Sequence, residues 1–331
     1  MLKQGYIGVT LFFVLSGFLI THRYWKGKTY SSSFYRYYLW RRFIRIYPVY
    51  LLSLLATTII LSIYGIFSHK SVIYIITWIF LQITLLKGYI FNLMFSGVSQ
   101  AWSLTLECSY YFIAPWVIAV LKKRLGTVII VLFYLLGLLF VFHLNEPKGV
   151  ILADAHFAFL YTIFGRIFDF IIGAWLALNI NKSKKILHLR GKTYIGLIGM
   201  IGSLWVLYAF QGSYRFGFYS PLGAIWNNEL LPIFTMLFIA GLIKEKTAFR
   251  KILSTGLFQI LGKASYTFYL FQFFLMGIIL HTAHVDIRIP HSGLIIFSGF
   301  IALNLLSIII YYSFEHRGHI YSKGRIYPRI I

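Results

Sequence analysis

Apolar runs of about 20 residues alternate with short polar segments along the whole chain, which is the spacing expected of helices that cross a bilayer. We predict nine spans, at approximately 5–22, 47–67, 103–121, 126–143, 159–180, 193–210, 229–243, 255–281 and 293–314. A further apolar stretch, 72–87, is predicted to form a re-entrant or interfacial helix. The pattern therefore predicts an all-α fold, a polytopic transmembrane helix bundle that forms a single membrane-embedded domain over residues 1–331.

Composition excludes a soluble globular protein, because 59% of the 331 residues are hydrophobic and only 12% are charged. The formal net charge of +23 would ordinarily indicate nucleic acid as a partner. Here the lysines and arginines stand in short clusters between apolar runs, which is typical of the cytoplasmic loops of membrane proteins. We therefore expect an inner or plasma membrane location, with membrane lipids as partners and no nucleic acid.

The loop charges decide the predicted topology. If 72–87 stays outside, 23 of the 31 Lys and Arg residues fall in predicted cytoplasmic segments, namely 23–46, 122–125, 181–192, 244–254 and 315–331. The predicted outer segments then hold only six. If 72–87 crossed the membrane, every cluster from 122–125 onward would lie opposite the first one. The charges thus favour nine spans, an outer N-terminus and a cytoplasmic C-terminus.

The beginning of the chain is unusual for this topology. Tyr6–Ile20 is interpreted as a retained span, since Lys3 is the only charge before it and no small-residue cleavage site follows. An N-terminus on the outside normally needs an earlier span to carry it there. We therefore expect the domain to be N-terminally incomplete, with its first helix missing.

Ionisable residues at membrane depth are costly, so each one is a candidate for function. A helix that starts near Ser103 would place Ser103, Glu107 and Tyr110 or Tyr111 on one face. A carboxylate at that position can accept a proton or hold a hydroxyl group. The alternative is a carboxylate favoured only by the dipole of the helix N-terminus. We favour the functional interpretation of Glu107.

Two other charge groups stay open between function and structure. Arg166 and Asp169, three residues apart in one predicted span, can pair as part of a site or as a purely structural ion pair. Arg42 and Arg45 end a basic, aromatic-rich loop, Ser31–Pro48, at the predicted start of the next helix. Their guanidinium groups suit phosphates, but they could equally contact anionic lipid headgroups.

Some other features indicate packing when taken alone. Small residues and hydroxyls in Leu261–Leu270, which includes Ser265 and Tyr266, are spaced for close helix contacts. Cys108 is the only cysteine, which rules out an intramolecular disulfide framework, and we favour plain packing over a nucleophile role for it. The ten histidines show no metal-ligand spacing, so no metal site is expected.

Four blocks, in chain order, resemble the acyltransferase 3 family of integral membrane acyltransferases. Gly5–Ile20 resembles its GxxGVxxFFxxSGF span, and Arg42–Pro48 resembles its RxxRxYP loop. Trp102–Pro115 resembles its WSLxxExxxYxxxP block, and Leu261–Leu270 resembles its LGxxSYxxYL block. No block is decisive alone, but four in the right order cover nearly the whole chain.

The resemblance implies an O-acyltransferase, most simply an O-acetyltransferase, with no bound cofactor. Acetyl-coenzyme A or another acyl-coenzyme A on the cytoplasmic side would give its acyl group to a sugar hydroxyl at the outer face. A surface polysaccharide or lipid-linked glycan of the cell envelope is the expected acceptor. Arg42 and Arg45 would contact the donor phosphates. The remaining predicted site residues are Glu107, Arg166 and Asp169 as catalytic candidates and Trp102, Ser103, Ser265 and Tyr266 as substrate-binding candidates.

Two departures from the family keep alternatives open. The family's first helix carries a basic residue followed eleven positions later by a histidine, the usual candidate for the catalytic base, and no residue here matches it. Phe271-Gln272 also stands where a histidine is frequent. The alternatives are an inactive or truncated relative that acts as a partner subunit, and a transporter or flippase for glycan intermediates. A transporter predicts inverted repeats and broken helices in two halves, which the sequence does not clearly show.

Overall fold

The computed structural model describes residues 6–25, 31–143, 154–182, 189–282 and 292–315, and these are helical over most of their length. The α-helices are α1 (Ile7–Ile20), α2 (Ser32–Ile63), α3 (Val72–Ile83), α4 (Trp102–Leu121), α5 (Gly126–His143), α6 (Ala155–Tyr161), α7 (Ile163–Asn179), α8 (Lys192–Ala209), α9 (Pro221–Ile225), α10 (Leu231–Lys244), α11 (Ala248–Leu253), α12 (Gly256–Thr282) and α13 (Ser292–Ile310). Short π-helical turns extend α1 and α13 and join α9 to α10. The predicted all-α class is confirmed.

Seven helical segments in the described ranges are long and apolar enough to cross a membrane, and they correspond to seven of the nine predicted spans. They are Ile7–Trp25, Ser32–Ile63, Ser99–Leu121, Ala155–Asn179, Lys192–Ala209, Pro221–Lys244 and Gly293–Phe314. Helices α5 and α12 occupy the positions of the other two predicted spans. Residues 283–291 and the basic C-terminal segment 316–331 lie outside the described residues.

The stretch predicted not to cross the membrane forms a short helix. Helix α3 has 12 residues, and at 1.5 Å per residue it is about 18 Å long, well below the roughly 30 Å of a bilayer core. The Lys122 amine, which follows α4, donates to the main-chain oxygen of Trp25 at 2.8 Å. Trp25 and Lys122 therefore lie at the same end of the first unit. This is expected if the chain between them crosses the membrane twice, in α2 and α4, and α3 does not cross.

The prediction of a loop from Ser31 to Pro48 was wrong, because α2 begins at Ser32. The Ser31 hydroxyl accepts a hydrogen bond from the main-chain N–H of Phe34 at 3.1 Å, which is the geometry of an N-terminal cap. Pro48, which was placed at the end of this loop, lies inside the helix. Because proline has no N–H, it removes the bond that would reach the carbonyl of Ile44.

The start of the predicted span 229–243 was also placed too late. The helix begins at Pro221, after a cap in which the Ser220 hydroxyl accepts from the N–H of Gly223 at 3.1 Å. Proline is favoured at this first helical position because its fixed φ suits the helix. The polar residues Asn227 and Asn228 therefore belong to a helical segment and not to an outer loop.

The contacts divide the chain into two compact units, which are described separately. The first unit contains residues 1–35, 88–91 and 103–251, and the second contains 36–87, 92–102 and 252–331.

Glycines permit close helix contacts in the first unit. A Cβ atom on Gly173 of α7 would lie 2.0 Å from the main-chain oxygen of Val14 in α1. A Cβ atom on Gly17 of α1 would lie 2.2 Å from the main-chain oxygen of Phe170 in α7. Small residues at a crossing let two backbones approach, as is common between membrane helices. The contact fixes α1 beside the helix that carries the predicted ion pair.

A buried lysine organises the connection between α3 and α4 in the second unit. Lys87 is fully buried, and its amine donates to the main-chain oxygens of Ser96 at 2.5 Å and Val98 at 2.7 Å. Burial lowers the pKa of Lys87 to about 7. The side-chain amide of Gln82 donates to the Ser96 hydroxyl at 3.0 Å, and the Tyr50 hydroxyl donates to the Gln82 main-chain oxygen at 2.8 Å. These bonds hold the segment that leads into α4.

Candidate active site

A buried ion pair lies near the start of helix α7. Arg166 Nη2 is 2.9 Å from Asp169 Oδ2, and both side chains are almost fully buried. The three-residue spacing puts them on one face of the helix, so the predicted pairing is confirmed. Removing both charges from water costs free energy, which only close partners offset.

Residues from three other elements complete the surroundings of Arg166. Its Nη1 donates to Asn228 Oδ1 at 2.5 Å, and its Nη2 donates to Thr10 Oγ1 at 2.8 Å. The centre of the Phe13 ring lies 5.5 Å from the guanidinium carbon, within cation–π range. The Tyr110 hydroxyl donates to the main-chain oxygen of Arg166 at 2.7 Å. Helices α1 and α4 and the π-helical turn before α10 therefore all meet at this residue.

The π-helical turn Trp226–Leu230 supplies two buried amides to this cluster. Asn227 Nδ2 donates to Asn228 Oδ1 at 2.8 Å, and Asn228 Nδ2 donates to the main-chain oxygen of Phe159 at 2.7 Å. Turns of this type inside α-helices are rare and occur frequently at functional sites. The extra residue in the turn brings both asparagines into the bundle.

A second carboxylate lies near the ion pair. The Tyr134 hydroxyl donates to Glu229 Oε1, and Glu229 interacts electrostatically with Arg166 and with Asp169. Arg166 is thus paired with one carboxylate and interacts electrostatically with a second one inside apolar helices. Asp169 Oδ1 has no hydrogen-bond partner among the described residues. Such a cluster can accept hydrogen bonds from a hydroxyl ligand or exchange a proton with it.

Helix α4 places Glu107 close to the same cluster. Glu107 is 5% exposed, and its Oε1 accepts a hydrogen bond from the Tyr111 hydroxyl one turn later. Ser103, one turn earlier on this face, is also buried. Tyr110 interacts electrostatically with Glu107 and with the Arg166–Asp169 pair. The three predicted catalytic residues therefore all lie near Tyr110 in the first unit.

The predicted donor-binding arginines lie within helix α2 in the second unit. Arg42 is 5% exposed, and Arg45, one turn later, is half-buried. Because α2 begins at Ser32, the expectation that they stand at the start of a helix was wrong. The remaining argument for a donor-binding role of these arginines is that their two guanidinium groups stand three residues apart on one helix.

The other predicted site residues have different environments. Trp102 is half-buried and is the first residue of α4. Ser265 is exposed, and its hydroxyl donates to the main-chain oxygen of Gly262 in its own helix at 2.8 Å. Tyr266 is 8% exposed and donates to the main-chain oxygen of Ile46 at 2.9 Å. A substrate-binding role for them stays a prediction. Within the described ranges, no group of three His, Cys, Asp or Glu residues is placed to hold a metal ion.

Comparison with known proteins identifies the family of this chain. The family model described as an acyltransferase domain, the acyltransferase 3 model, matches residues 4–313. The chain belongs to the acyltransferase 3 family. The resemblance carried by the four sequence blocks is thereby confirmed.

Curated relatives of this acyltransferase 3 chain include proteins of Staphylococcus aureus. O-acetyltransferase OatA of strain NCTC 8325 is 27% identical over 318 residues, covering 87% of this chain and 49% of OatA. A protein of strain COL, provisionally named an O-acetyltransferase, is 26% identical over 314 residues with the same coverage. The chain thus spans about half the length of the curated relatives it matches. No solved structure matches the chain at the threshold of statistical significance that was applied to these relatives.

Sequence reasoning missed four members of the polar cluster around Arg166: Thr10, Asn227, Asn228 and Glu229. Each is a polar residue beside or inside an apolar run, and that position alone could have marked it as a candidate. The two asparagines were overlooked because the run 229–243 was taken to begin after them. Only the fold shows that Thr10 and Asn228 bond one arginine, since they stand 156 and 62 residues away from it.

Proposed function

We propose that this protein is a membrane O-acetyltransferase that moves an acetyl group from acetyl-coenzyme A to a hydroxyl of a cell-envelope carbohydrate. The observation that carries the proposal is the acyltransferase family match over residues 4–313. The names of the staphylococcal relatives support O-acetylation as the reaction. A cluster of buried polar side chains within apolar helices supports chemistry at membrane depth.

Arg42 and Arg45 bind the donor in this proposal. Coenzyme A carries a pyrophosphate and a further phosphate, and guanidinium groups pair with phosphate oxygens through parallel, charge-assisted hydrogen bonds. Two arginines one helical turn apart can each take a phosphate of one ligand. The predicted cytoplasmic position of the segment places them on the side where acetyl-coenzyme A is made.

Residues of the first unit act on the acceptor. The acceptor hydroxyl oxygen attacks the thioester carbonyl carbon, the carbon–sulfur bond breaks, and coenzyme A leaves as the thiolate. Glu107, oriented by Tyr111, holds the acceptor hydroxyl. Arg166, held by Asp169, Thr10 and Asn228, supplies positive charge near the developing oxyanion. The hydroxyl proton passes to a base that we leave unassigned among these residues.

The test uses the purified full chain with acetyl-coenzyme A labelled in the acetyl group and an envelope polysaccharide fraction. Label should appear in the polysaccharide and be released as acetate by mild alkali, which cleaves esters and leaves amides intact. Arg42→Ala and Arg45→Ala should each raise the KM for acetyl-coenzyme A about 10- to 100-fold, since a hydrogen bond to a charged group contributes about 1.5–3 kcal/mol.

Arg41→Ala is the matched control, because Arg41 lies on the same helix and its guanidinium stacks 5.8 Å from the Tyr37 ring. It should leave the KM for acetyl-coenzyme A within about threefold of the original, less than 1 kcal/mol. A KM for acetyl-coenzyme A that stays within about threefold of the original in both Arg42→Ala and Arg45→Ala would contradict the donor site. Absence of transfer by the unaltered chain with any envelope fraction would contradict the O-acetyltransferase proposal.

A further inference from the structure

Two tyrosine hydroxyls on one face of α12 reach the main chain of two separate segments of the second unit. The Tyr266 hydroxyl donates to the main-chain oxygen of Ile46 at 2.9 Å. The Tyr269 hydroxyl donates to the main-chain oxygen of Gln100 at 3.0 Å. Because the tyrosines are three residues apart, their side chains leave the same side of the helix. One helix face therefore holds one point of α2 and one point just before α4.

The first of these points lies directly beside the donor-binding arginines. Ile46 follows Arg45 and stands one turn after Arg42. Pro48 removes a backbone hydrogen bond from this turn and crowds the carbonyl groups before it, which weakens the helix there. The bond from Tyr266 restrains the same turn from outside the helix. Tyr266 is 8% exposed, and a hydrogen bond shielded from water is stronger than an exposed one.

The second point lies two residues before the tryptophan that begins α4. Gln100 belongs to the short 3₁₀ turn Ser99–Ala101, which changes into an α-helix at Trp102. Its side-chain amide donates to the main-chain oxygens of Tyr269 at 3.1 Å and Leu270 at 3.3 Å. Together with the bond from the Tyr269 hydroxyl, these contacts run in both directions between α12 and the turn. They fix where α4 starts.

Ordinary packing is the simpler explanation to be tested, since a buried tyrosine hydroxyl usually finds some partner. Two observations favour a more specific role. Both acceptors are main-chain atoms within two residues of a residue with a predicted site role, Arg45 in one case and Trp102 in the other. Both also lie where local backbone bonding is interrupted, at a proline in one case and at a change of helix type in the other. A tether matters most at such points.

We propose that Tyr266 and Tyr269 are positioning residues that act on two different motifs, Tyr266 on the arginine turn of α2 and Tyr269 on the start of α4. One consequence of the inference rests on the proposed function: Tyr266 sets the affinity for the acyl donor, whereas Tyr269 does not affect that affinity. Tyr266 then acts through the backbone of α2 without contacting a substrate itself.

The decisive measurement is hydrogen–deuterium exchange on the full chain in detergent, followed by peptide mass spectrometry. Tyr266→Phe removes one hydroxyl and should speed amide exchange in peptides covering 44–52 by about tenfold, which corresponds to about 1.4 kcal/mol. Peptides covering 98–104 should be unchanged. Tyr269→Phe should give the converse result. Ser298→Ala, in α13, is the control, since the exposed Ser298 hydroxyl donates to the main-chain oxygen of Ile295 in its own helix at 3.0 Å, and it should change neither region.

Equal exchange in all variants would overturn the proposal, because neither hydroxyl would then hold its segment. Equal acceleration of both segments by both variants, with a matching fall in Tm, would also overturn it and would identify general destabilisation. Neither result depends on any enzymatic activity.

Binding of coenzyme A itself, measured by calorimetry, tests the functional consequence. Tyr266→Phe should weaken the Kd about fivefold to tenfold, while Tyr269→Phe and Ser298→Ala leave it within about twofold. If Tyr266→Phe binds as tightly as the original chain, the link between this tyrosine and the donor site is wrong. If the original chain binds no coenzyme A, the proposed donor site fails, while the exchange result still decides whether the tyrosines position their segments.

Discussion

At the scale of single residues, Glu245 provides the N-terminus of helix α8 with a negative partner. Its carboxylate accepts hydrogen bonds from the main-chain N–H groups of Lys192 at 2.9 Å and Thr193 at 3.0 Å. The Thr193 hydroxyl and the Lys192 amine also contact it, at 2.7 and 3.2 Å. Partial burial alone would raise the pKa of Glu245, but the hydrogen bonds from Thr193 and Lys192 outweigh it and lower the pKa to about 2.

We expect Glu245→Gln to lower the free energy of unfolding by about 1 kcal/mol at pH 7, a modest value because solvent screens part of the interaction. The folded pKa lies below the ordinary value, so the stabilisation is complete above about pH 4.5 and declines as the pH falls toward 2. Thermal unfolding in detergent between pH 7 and pH 3 should show the Tm difference between the two proteins shrinking below pH 4.5.

Lys246→Gln is the matched control, since it removes an exposed charge next to Glu245 without touching the start of α8. Its Tm should follow that of the original chain at every pH. A Tm difference for Glu245→Gln that stays constant down to pH 3 would show that the carboxylate charge is not what supports the helix.

Arg166 shows how far single residues could be interpreted from the sequence. Its pairing with Asp169 follows from spacing within one helix, which needs no knowledge of the fold. Its bonds to Thr10 and Asn228 could not be predicted, because no local rule joins residues so far apart in the chain. The sequence indicated that a buried guanidinium needs partners, but only the packed helices identify them.

At the scale of helices, the crossing of α1 and α7 depends on the absence of side chains at two glycines. We expect Gly173→Ala to destabilise the first unit by about 3 kcal/mol, because the new methyl group would meet a main-chain oxygen that cannot rotate away. The measurement is the Tm and the monodisperse yield in detergent. Gly202→Ala, in α8, is the control, because nothing lies within 4 Å of its added Cβ atom.

The control should be neutral or stabilising by up to about 1 kcal/mol, as expected when alanine replaces glycine in a helix. Loss of stability in Gly202→Ala of the same size as in Gly173→Ala would mean that the glycines matter for reasons other than the crossing. Gly17→Ala, on the facing helix, should reproduce the effect of Gly173→Ala.

The helices themselves were largely predictable, and their ends were not. Apolar runs gave the positions of the long helices because about 20 apolar residues have few alternatives in a bilayer. The start of α2 was misplaced by 15 residues, at 47 instead of Ser32, because the basic, aromatic-rich stretch that ends at Pro48 was interpreted as a loop. Long membrane helices tolerate internal proline when neighbouring groups satisfy the freed backbone, so proline is a weak boundary marker here.

At the scale of the whole chain, the uneven distribution of basic residues predicts which way the protein faces. Contacts within the first unit support the pairing of the predicted cytoplasmic segments, since Lys122 reaches Trp25 and Lys244 reaches Asn181 at 3.1 Å. Tyr161, at the predicted outer end of the span 159–180, donates a hydrogen bond to Tyr219, in the predicted outer segment after the span 193–210, at 3.0 Å. The alternation of ends derived from charge therefore agrees with the contacts inside this unit.

The same topology makes a specific prediction for the stretch 72–87. In a Cys108→Ala background, Lys70→Cys and Asn92→Cys place exposed thiols before and after α3. If α3 does not cross the membrane, an impermeant maleimide should label both in intact cells, while Lys123→Cys should be labelled only after permeabilisation. Labelling of Lys70→Cys without Asn92→Cys would mean that α3 crosses despite its 12 residues. The clusters from Lys122 onward would then lie opposite the arginine segment of α2, and the charge argument that places Arg42 and Arg45 beside cytoplasmic acetyl-coenzyme A would lose its basis.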